Sequence, residues 1–194
     1  MLVEGRQTVC GIDEAGRGPL AGPVFAAAVV LPHGILLPGL NDSKKLTQSK
    51  REKLFDMIIE GAVAYGIASA DHTVIDSINI LNATFLAMRS AFETLPVKPD
   101  FVLIDGNRDP GLRCDGRCLV GGDGKSASVA AASILAKVSR DRFMTEIAGE
   151  YPQYAFERHK GYGTGLHFER LNEYGPSAIH RKTFLKKWEA GNKK

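Results

Sequence analysis

Three short β-prone segments that each lead into a carboxylate constrain the fold of this chain more than any other feature. Short apolar runs bounded by turn residues are typical of buried strands. In chain order they are Thr8–Ile12 followed by Asp13 and Glu14, Phe101–Ile104 followed by Asp105, and Cys118–Val120 followed by two glycines and Asp123. The chain is therefore predicted to form a sheet with acidic residues at the ends of its strands.

The rest of the pattern predicts two further strands, three helices and a C-terminal region of helices and loops. Small and β-branched residues indicate the strands, and apolar residues at helical spacing indicate the helices. The strands are Val24–Leu31 and Ala62–Ala70, and the helices are Ser43–Ile59, Ile78–Leu95 and Ser126–Glu150. The order β-β-α-β-α-β-β-α is typical of an α/β fold in which helices flank a mixed sheet.

Length and composition predict a single domain over residues 1–194. A chain of 194 residues can bury one core without disulfides or metals. Its 44% hydrophobic and 24% charged residues exclude disordered, collagen-like and coiled-coil chains.

Basic residues are concentrated towards the C-terminus. Residues 151–194 hold nine Lys and Arg against four Asp and Glu, and residues 1–150 hold sixteen against eighteen, so the net charge of +3 divides into +5 and −2. Such a region fits either a polyanionic partner or a solvated helical face. We expect residues 151–194 to be a basic helical region. It would contribute to substrate binding if the partner is a polyanion, and charge alone leaves both interpretations open.

The cysteines and the apolar runs indicate the compartment. Cys10, Cys114 and Cys118 are odd in number and lack zinc-site spacing, so neither a disulfide framework nor structural zinc is expected. No secretory signal is recognisable, and the longest apolar run, Val24–Pro32, is too short to span a bilayer. We expect a monomeric cytoplasmic protein without membrane contact.

The strand-end carboxylates predict a metal site. Ligand sites in sheets with helical crossovers gather beyond the carboxyl ends of strands, although a single Asp there is usually a turn or cap residue. Clustered carboxylates repel one another, and a hard divalent cation, Mg²⁺ or Mn²⁺, removes that cost. Two such ions hydrolyse phosphodiesters. Because successive strand residues face opposite sides, Asp13 and Glu14 reach one site only if the strand ends or bulges there.

Other phosphate-binding motifs fail on spacing. Gly16, Gly18 and Gly22 resemble a dinucleotide-binding fingerprint, but three residues separate the last two glycines where the fingerprint has two. A P-loop ending at Lys125 would need a glycine at position 119, where the chain has Leu119. The Gly16-Arg17-Gly18 loop directly after the paired acids is either an ordinary turn or a phosphate-binding loop, since Arg17 offers a fork for phosphate.

These residues together resemble the type 2 ribonucleases H, specifically the bacterial ribonuclease HII family. The match extends in family order over nearly the whole chain. Its segments are VCGIDEAGRGPLAGP at 9–23, NDSKKL at 41–46, NIL at 79–81, IDGN at 104–107, AASILAKV at 131–138 and HKGY at 159–162.

The resemblance implies a ribonuclease H-like fold and a metal-dependent endonuclease. The expected enzyme cuts the RNA strand of RNA–DNA hybrids and nicks 5′ of single ribonucleotides in duplex DNA, leaving 5′-phosphate and 3′-hydroxyl ends. Its role would be to remove misincorporated ribonucleotides and RNA primers from DNA. The family's metal-binding acids correspond to Asp13, Glu14, Asp105 and Asp123. Its junction-reading residues correspond to Gly16, Arg17, Gly18 and Tyr162, the glycine–arginine loop reading the 2′-hydroxyl and the tyrosine stacking on the adjoining deoxyribose.

Some assignments stay open at the sequence level. Lys44, Lys45 and Lys160 fit either phosphate contacts or a solvated surface, and Lys137 fits either an ion pair with Asp141 or the site. Gly121 stands where the family usually has lysine, which removes a cation beside the fourth acid. A catalytically inactive nucleic-acid-binding module and a phosphohydrolase of small esters are the alternatives. The four acids argue against the first, and the Arg17 loop and basic C-terminal region argue against the second.

Overall fold

The computed structural model describes residues 5–40 and 46–192 and has the predicted order of elements. The strands are β1 (Val9–Ala15), β2 (Val24–Val30), β3 (Ala64–Ala70), β4 (Phe101–Asp105) and β5 (Gly116–Leu119). The helices are α1 (Gln48–Gly61), α2 (His72–Glu93), α3 (Ala127–Glu146), α4 (Phe156–His159), α5 (Gly165–Tyr174) and α6 (Lys182–Asn192). The α/β class is confirmed.

The sheet is mixed and has β1 at its centre. Its strand order is β3-β2-β1-β4-β5. The β1–β2 and β2–β3 pairs are antiparallel, whereas β1–β4 and β4–β5 are parallel. Helix α2 covers one face of the sheet and helices α1 and α3 cover the other, each over its own apolar core. This topology places the carboxyl ends of β1, β4 and β5 side by side.

Strand β1 is longer than predicted. It continues past Ile12 because its pairing with β2 runs on to Ala15↔Phe25. On its other side, the pairing with β4 stops at Ile12↔Ile104. Asp13 and Glu14 therefore lie inside β1, just beyond the point where its pairing with β4 ends.

Helix α2 also starts earlier than predicted and contains a break. Asp71 caps its first turn by accepting the amides of Thr73 and Val74 at 2.8 and 2.9 Å. Asn79, with φ of 66° and ψ of 164°, interrupts the helix, and its side chain caps the segment that follows. The polar residues before the break hide the helical spacing, so the pattern alone predicts only the second segment.

The C-terminal region packs against the chain around residue 21. An isolated bridge joins Ala21 to His180, and the amide of Leu20 donates to the carbonyl of Gly161 at 2.8 Å. These contacts bring α4, α5 and the start of α6 to the same end of β1 as its acidic residues. No helix within residues 5–40 and 46–192 is long and apolar enough to cross a membrane.

Candidate active site

Asp13 is the buried carboxylate of the site. Its alternation within β1 directs it towards α3, and it is only 5% exposed. One of its oxygens accepts the amide of Glu14 at 2.7 Å, and the side chain of Ser133 also hydrogen-bonds to it. Burial, then the charges of Glu14 and Asp105, raise the pKa of Asp13 well above its usual range.

Glu14 faces the opposite side of the sheet. Its carboxylate accepts from Arg17 Nη1 at 3.3 Å. One cleft, of about 240 Å³, contains Asp13, Gly18 and Tyr162, and a second, of about 330 Å³, contains Asp105, while Glu14 and Arg17 line both. Strand β1 neither ends nor bulges at the paired acids, so the two side chains point to opposite sides of the sheet, as the alternation of a strand requires. The strand stays regular, and the missing β4 neighbour beyond Ile12 leaves space on both sides.

The turn after β5 connects Asp105 to the backbone next to Asp123 without bringing the two carboxylates into one cleft. Asp105 Oδ1 accepts the amide of Gly122 at 2.7 Å, and Asp123 is the next residue along the chain. Asp123 Oδ1 accepts the amide of Gly124 at 3.0 Å, and the residue lines a separate cleft beside Ser126. Gly121 has a φ of 66°, so the family's usual lysine would adopt a left-handed conformation there.

The carboxylate oxygens around Asp13 are of the type that binds a divalent cation, although their side chains are not gathered around one point. In the described part of the chain, no three acidic, histidine or cysteine side chains are close enough to hold an ion between them. Three carboxylates nevertheless interact electrostatically around Asp13. Such a cluster of oxygen donors, one of them buried, matches the preference of Mg²⁺ and Mn²⁺.

The Gly16–Gly18 loop follows β1 directly and forms one wall of the cleft that contains Asp13. Gly16 is buried with a φ of 98°, and a Cβ atom there would be 2.0 Å from Arg140 Nε. Arg17 and Gly18 are exposed. Only the outer half of the loop is therefore accessible to a ligand.

Tyr162 forms the opposite wall of that cleft. Its side chain is 40% exposed, and its ring lies 5.7 Å from Lys137 Nζ and 5.5 Å from the Arg140 guanidinium carbon. Its carbonyl accepts from His167 Nδ1 at 2.9 Å. Two cations of α3 thus lie over the ring, and a large part of the side chain remains exposed to a ligand.

The donor of each histidine follows from a chain of hydrogen bonds. The amide of Ser177 donates to His180 Nδ1 at 2.9 Å, so neutral His180 carries its proton on Nε2. His180 Nε2 donates to His167 Nε2 at 2.9 Å, which leaves the proton of His167 on Nδ1, facing Tyr162. His159 accepts the Gly161 amide and donates to the carbonyl of Tyr154. All three rings act in the fold beneath Tyr162.

Two of the four lysines named from the sequence lie among the residues that the structure describes. Lys160 Nζ donates to Thr145 Oγ1 at 2.7 Å and to the carbonyl of Glu157 at 2.6 Å. Lys137 Nζ pairs with Asp141 at 2.7 Å, and Lys137 also lines the cleft that contains Asp13. The ion pair and a position beside the candidate site are therefore compatible. Lys44 and Lys45 lie outside the described residues.

The sequence analysis missed three residues that support the cleft: Ser133, Arg140 and Arg181. On α3, Ser133, Lys137 and Arg140 recur at i, i+4 and i+7, a polar stripe on a mostly buried helix that would have indicated a site. Arg181 carries no such signal, because its partners lie about 160 residues away in the chain.

The comparisons with known proteins point to one family. The family model of ribonuclease HII matches residues 10–187. A ribonuclease HII from Caldicellulosiruptor bescii is 59% identical over 186 residues, covering 96% of this chain and 90% of that protein.

Solved structures show the same fold. The ribonuclease H2 of Pyrococcus horikoshii OT3 superimposes with a TM-score of 0.78 at 28% identity, covering 95% of this chain and 98% of that one. Bst ribonuclease HIII, solved with Mn²⁺, matches in fold with a TM-score of 0.74 at 19% identity, covering 96% and 70%. The chain therefore belongs to the ribonuclease HII family and is a ribonuclease H-type hydrolase.

Proposed function

We propose that this enzyme nicks duplex DNA on the 5′ side of single embedded ribonucleotides, in addition to hydrolysing the RNA strand of RNA–DNA hybrids. Family membership supports the general activity, metal-dependent endonuclease action on RNA–DNA substrates. One observation supports nicking at single ribonucleotides: a single cleft contains Asp13 together with Gly16–Gly18 and Tyr162. A carboxylate suited to hydrolysis thus lies beside the residues assigned to the ribose.

The acids form the hydrolytic part of the proposal. Asp13, Glu14, Asp105 and Asp123 would hold Mg²⁺ or Mn²⁺. When bound, a pair of such ions activates a water and stabilises the leaving oxygen of the phosphodiester, giving 5′-phosphate and 3′-hydroxyl ends. The chain's own contribution is to hold the Asp13 carboxylate in place through the Glu14 amide and Ser133.

The loop and the tyrosine form the selective part. The 2′-hydroxyl is the group that distinguishes RNA from DNA at a given position, and exposed Gly18 lets the backbone approach it closely. The exposed ring of Tyr162 provides a stacking surface for the next sugar. Lys137 and the basic residues of the C-terminal region, 151–194, would hold the phosphate backbone. In the cell this activity would remove misincorporated ribonucleotides and RNA primers.

The test is cleavage of a DNA duplex with one central ribonucleotide in Mg²⁺ or Mn²⁺. The controls are the same duplex in DNA only, a long RNA–DNA hybrid and the Asp13→Asn variant. We expect one nick, mapped to the 5′ side of the ribonucleotide, that requires the metal and is lost in the variant.

Two results would contradict the proposal separately. Cleavage of the hybrid without nicking of the single ribonucleotide would remove the junction activity and leave the family activity intact. A nick that survives in Asp13→Asn would remove the assignment of the acids.

A further inference from the structure

The Gly16–Gly18 loop is held from beneath by the buried side chain of Arg181. Its Nη2 donates to the carbonyl of Gly16 at 2.6 Å and its Nη1 to that of Arg17 at 2.9 Å. Its Nε donates to the carbonyl of Gly22 at 2.9 Å. One side chain therefore joins both ends of the segment that carries the loop.

These contacts need the shape of a guanidinium. Arginine presents donors along two edges of a rigid plane, whereas the ammonium of lysine is a single flexible donor group. All three acceptors are main-chain carbonyls, so the contacts fix the path of the backbone and do not depend on side chains of the loop. Within residues 5–40 and 46–192, Arg181 makes no direct ion pair, although the charge of Asp76 lies nearby and the ring of Phe184 lies 5.1 Å from its guanidinium carbon.

A second buried arginine lies next to it. Arg140 donates to the carbonyls of Ala21, Pro23 and Lys160, and its Nη1 has no partner among the described residues. Burial lowers the pKa of both arginines, and the neighbouring charge of Arg140 helps to lower that of Arg181 to about 9. Guanidinium groups keep their proton in proteins, so both are cations. Two like charges buried beneath one loop are unfavourable for stability, which is typical of a functional region.

The geometry points to Arg181 as a positioning residue for selectivity, and this inference rests on the proposed junction reading. By holding the carbonyls of Gly16 and Arg17 inward, Arg181 fixes the exposed side of the loop in position for the ribose 2′-hydroxyl. The amide of Leu20 donates to the carbonyl of Gly161, which precedes Tyr162. This hydrogen bond links the segment held by Arg181 to the tyrosine and so sets the distance between the loop and the tyrosine. Arg181 itself is buried and touches no substrate.

Binding without metal tests this role apart from catalysis. The dissociation constants of two duplexes, identical except for one ribonucleotide, are measured by fluorescence anisotropy in EDTA, and their ratio is the discrimination. The variants are Arg181→Lys, which keeps the charge, and Arg181→Met, which removes it. Asp76→Ala is the control, because Asp76 accepts the amides of Lys182 and Thr183 beside Arg181 without touching the loop.

We expect both Arg181 variants to lower the discrimination by about 3- to 10-fold, the range of one lost hydrogen bond. Arg181→Lys should bind the all-DNA duplex within about 2-fold of the wild type, since the backbone contacts depend on charge. Asp76→Ala should keep the wild-type discrimination even where its melting temperature falls as far as that of Arg181→Lys.

The outcomes separate this inference from the proposed function. Equal discrimination in the wild type and both Arg181 variants, or an equal loss in Asp76→Ala, would overturn the role of Arg181. A wild type that binds both duplexes equally and fails to nick the ribonucleotide in Mg²⁺ would overturn the junction reading itself. Should Arg181→Met not fold, Arg181→Lys alone decides, since it retains the charge and most of the volume.

Discussion

Gly18 lies against the ring of Tyr162: a Cβ atom on Gly18 would be 3.9 Å from Cε1 of that ring, an ordinary van der Waals distance. Gly16, two residues earlier, has a φ of 98°, and a Cβ atom there would overlap the side chain of Arg140. The two glycines of the loop are therefore needed for different reasons. The fold requires Gly16, whereas only the approach of a ligand would require Gly18.

Alanine at the two positions should separate folding from recognition. We expect Gly16→Ala to lower the free energy of unfolding by about 2–4 kcal/mol, because a left-handed alanine and an overpacked contact add. Gly18→Ala should stay within about 0.5 kcal/mol of the wild type, yet nick the single-ribonucleotide duplex several-fold more slowly. Urea unfolding and kcat/KM are the measurements. An unchanged kcat/KM in Gly18→Ala would mean that no ligand approaches this glycine.

Tyr162 is expected to act through its ring and not through its hydroxyl. The ring is partly exposed beside Lys137 and Arg140, so a phenylalanine would preserve the stacking surface. Tyr162→Phe should therefore retain cleavage of the single-ribonucleotide duplex, while Tyr162→Ala should lose about 1–3 kcal/mol of stacking in kcat/KM. Equal losses in the two variants would instead indicate a role for the hydroxyl.

The sequence predicted more of the fold than of the support around the site. Short apolar runs and their order were sufficient for the sheet, and the carboxylates at strand ends indicated the acids. Tyr162 came only from the family resemblance, because a tyrosine between two glycines has no local pattern that marks a stacking residue. Arg181 was not predictable, since its burial results from carbonyls that reach it through the tertiary fold.

Asp13 should reduce the stability of the metal-free protein. Burial and the charges of Glu14 and Asp105 raise its pKa, so its ionised form is unfavourable at neutral pH. In EDTA, Asp13→Asn should raise the free energy of unfolding by about 1 kcal/mol or more. Mg²⁺ should then raise the melting temperature less in the variant than in the wild type.

The Asp141→Asn variant shows whether replacing any buried aspartate by asparagine stabilises the metal-free protein, or only replacing Asp13. Asp141 is also largely buried but pairs with Lys137 at 2.7 Å, so Asp141→Asn should lower the melting temperature in EDTA. Thermal melts of both variants with and without Mg²⁺ provide the comparison. A lower melting temperature of Asp13→Asn in EDTA would show that repulsion among the acids is not significant.

The buried histidines should make stability depend on pH. Burial lowers the pKa of His167 to about 4 and that of His180 to about 3, from 6.5. Between these values the unfolded chain binds more protons, so stability is full above about pH 6.5 and falls as the pH decreases. These two histidines should contribute up to about 2.7 kcal/mol per pH unit to the slope, and His159, whose pKa burial also lowers, adds to it. Urea unfolding from pH 7 to 5 measures the slope, and His167→Gln should reduce it by about 1.4 kcal/mol per pH unit. A flat profile would mean that the histidines are already charged in the fold.

Salt dependence should identify which lysine meets the phosphates. Lys137 lines the cleft of Asp13, whereas the ammonium of Lys160 is engaged by Thr145 and the carbonyl of Glu157. The logarithm of the association constant for duplex DNA should fall linearly with the logarithm of salt concentration, with a slope of about −0.9 per phosphate contact. Lys137→Gln should make that slope shallower by about 0.9, and Lys160→Gln should leave it nearly unchanged. Anisotropy titrations at four salt concentrations provide the slopes. A flat wild-type response would exclude backbone contacts by the basic C-terminal region, and a loss of slope in Lys160→Gln alone would transfer the contact to Lys160.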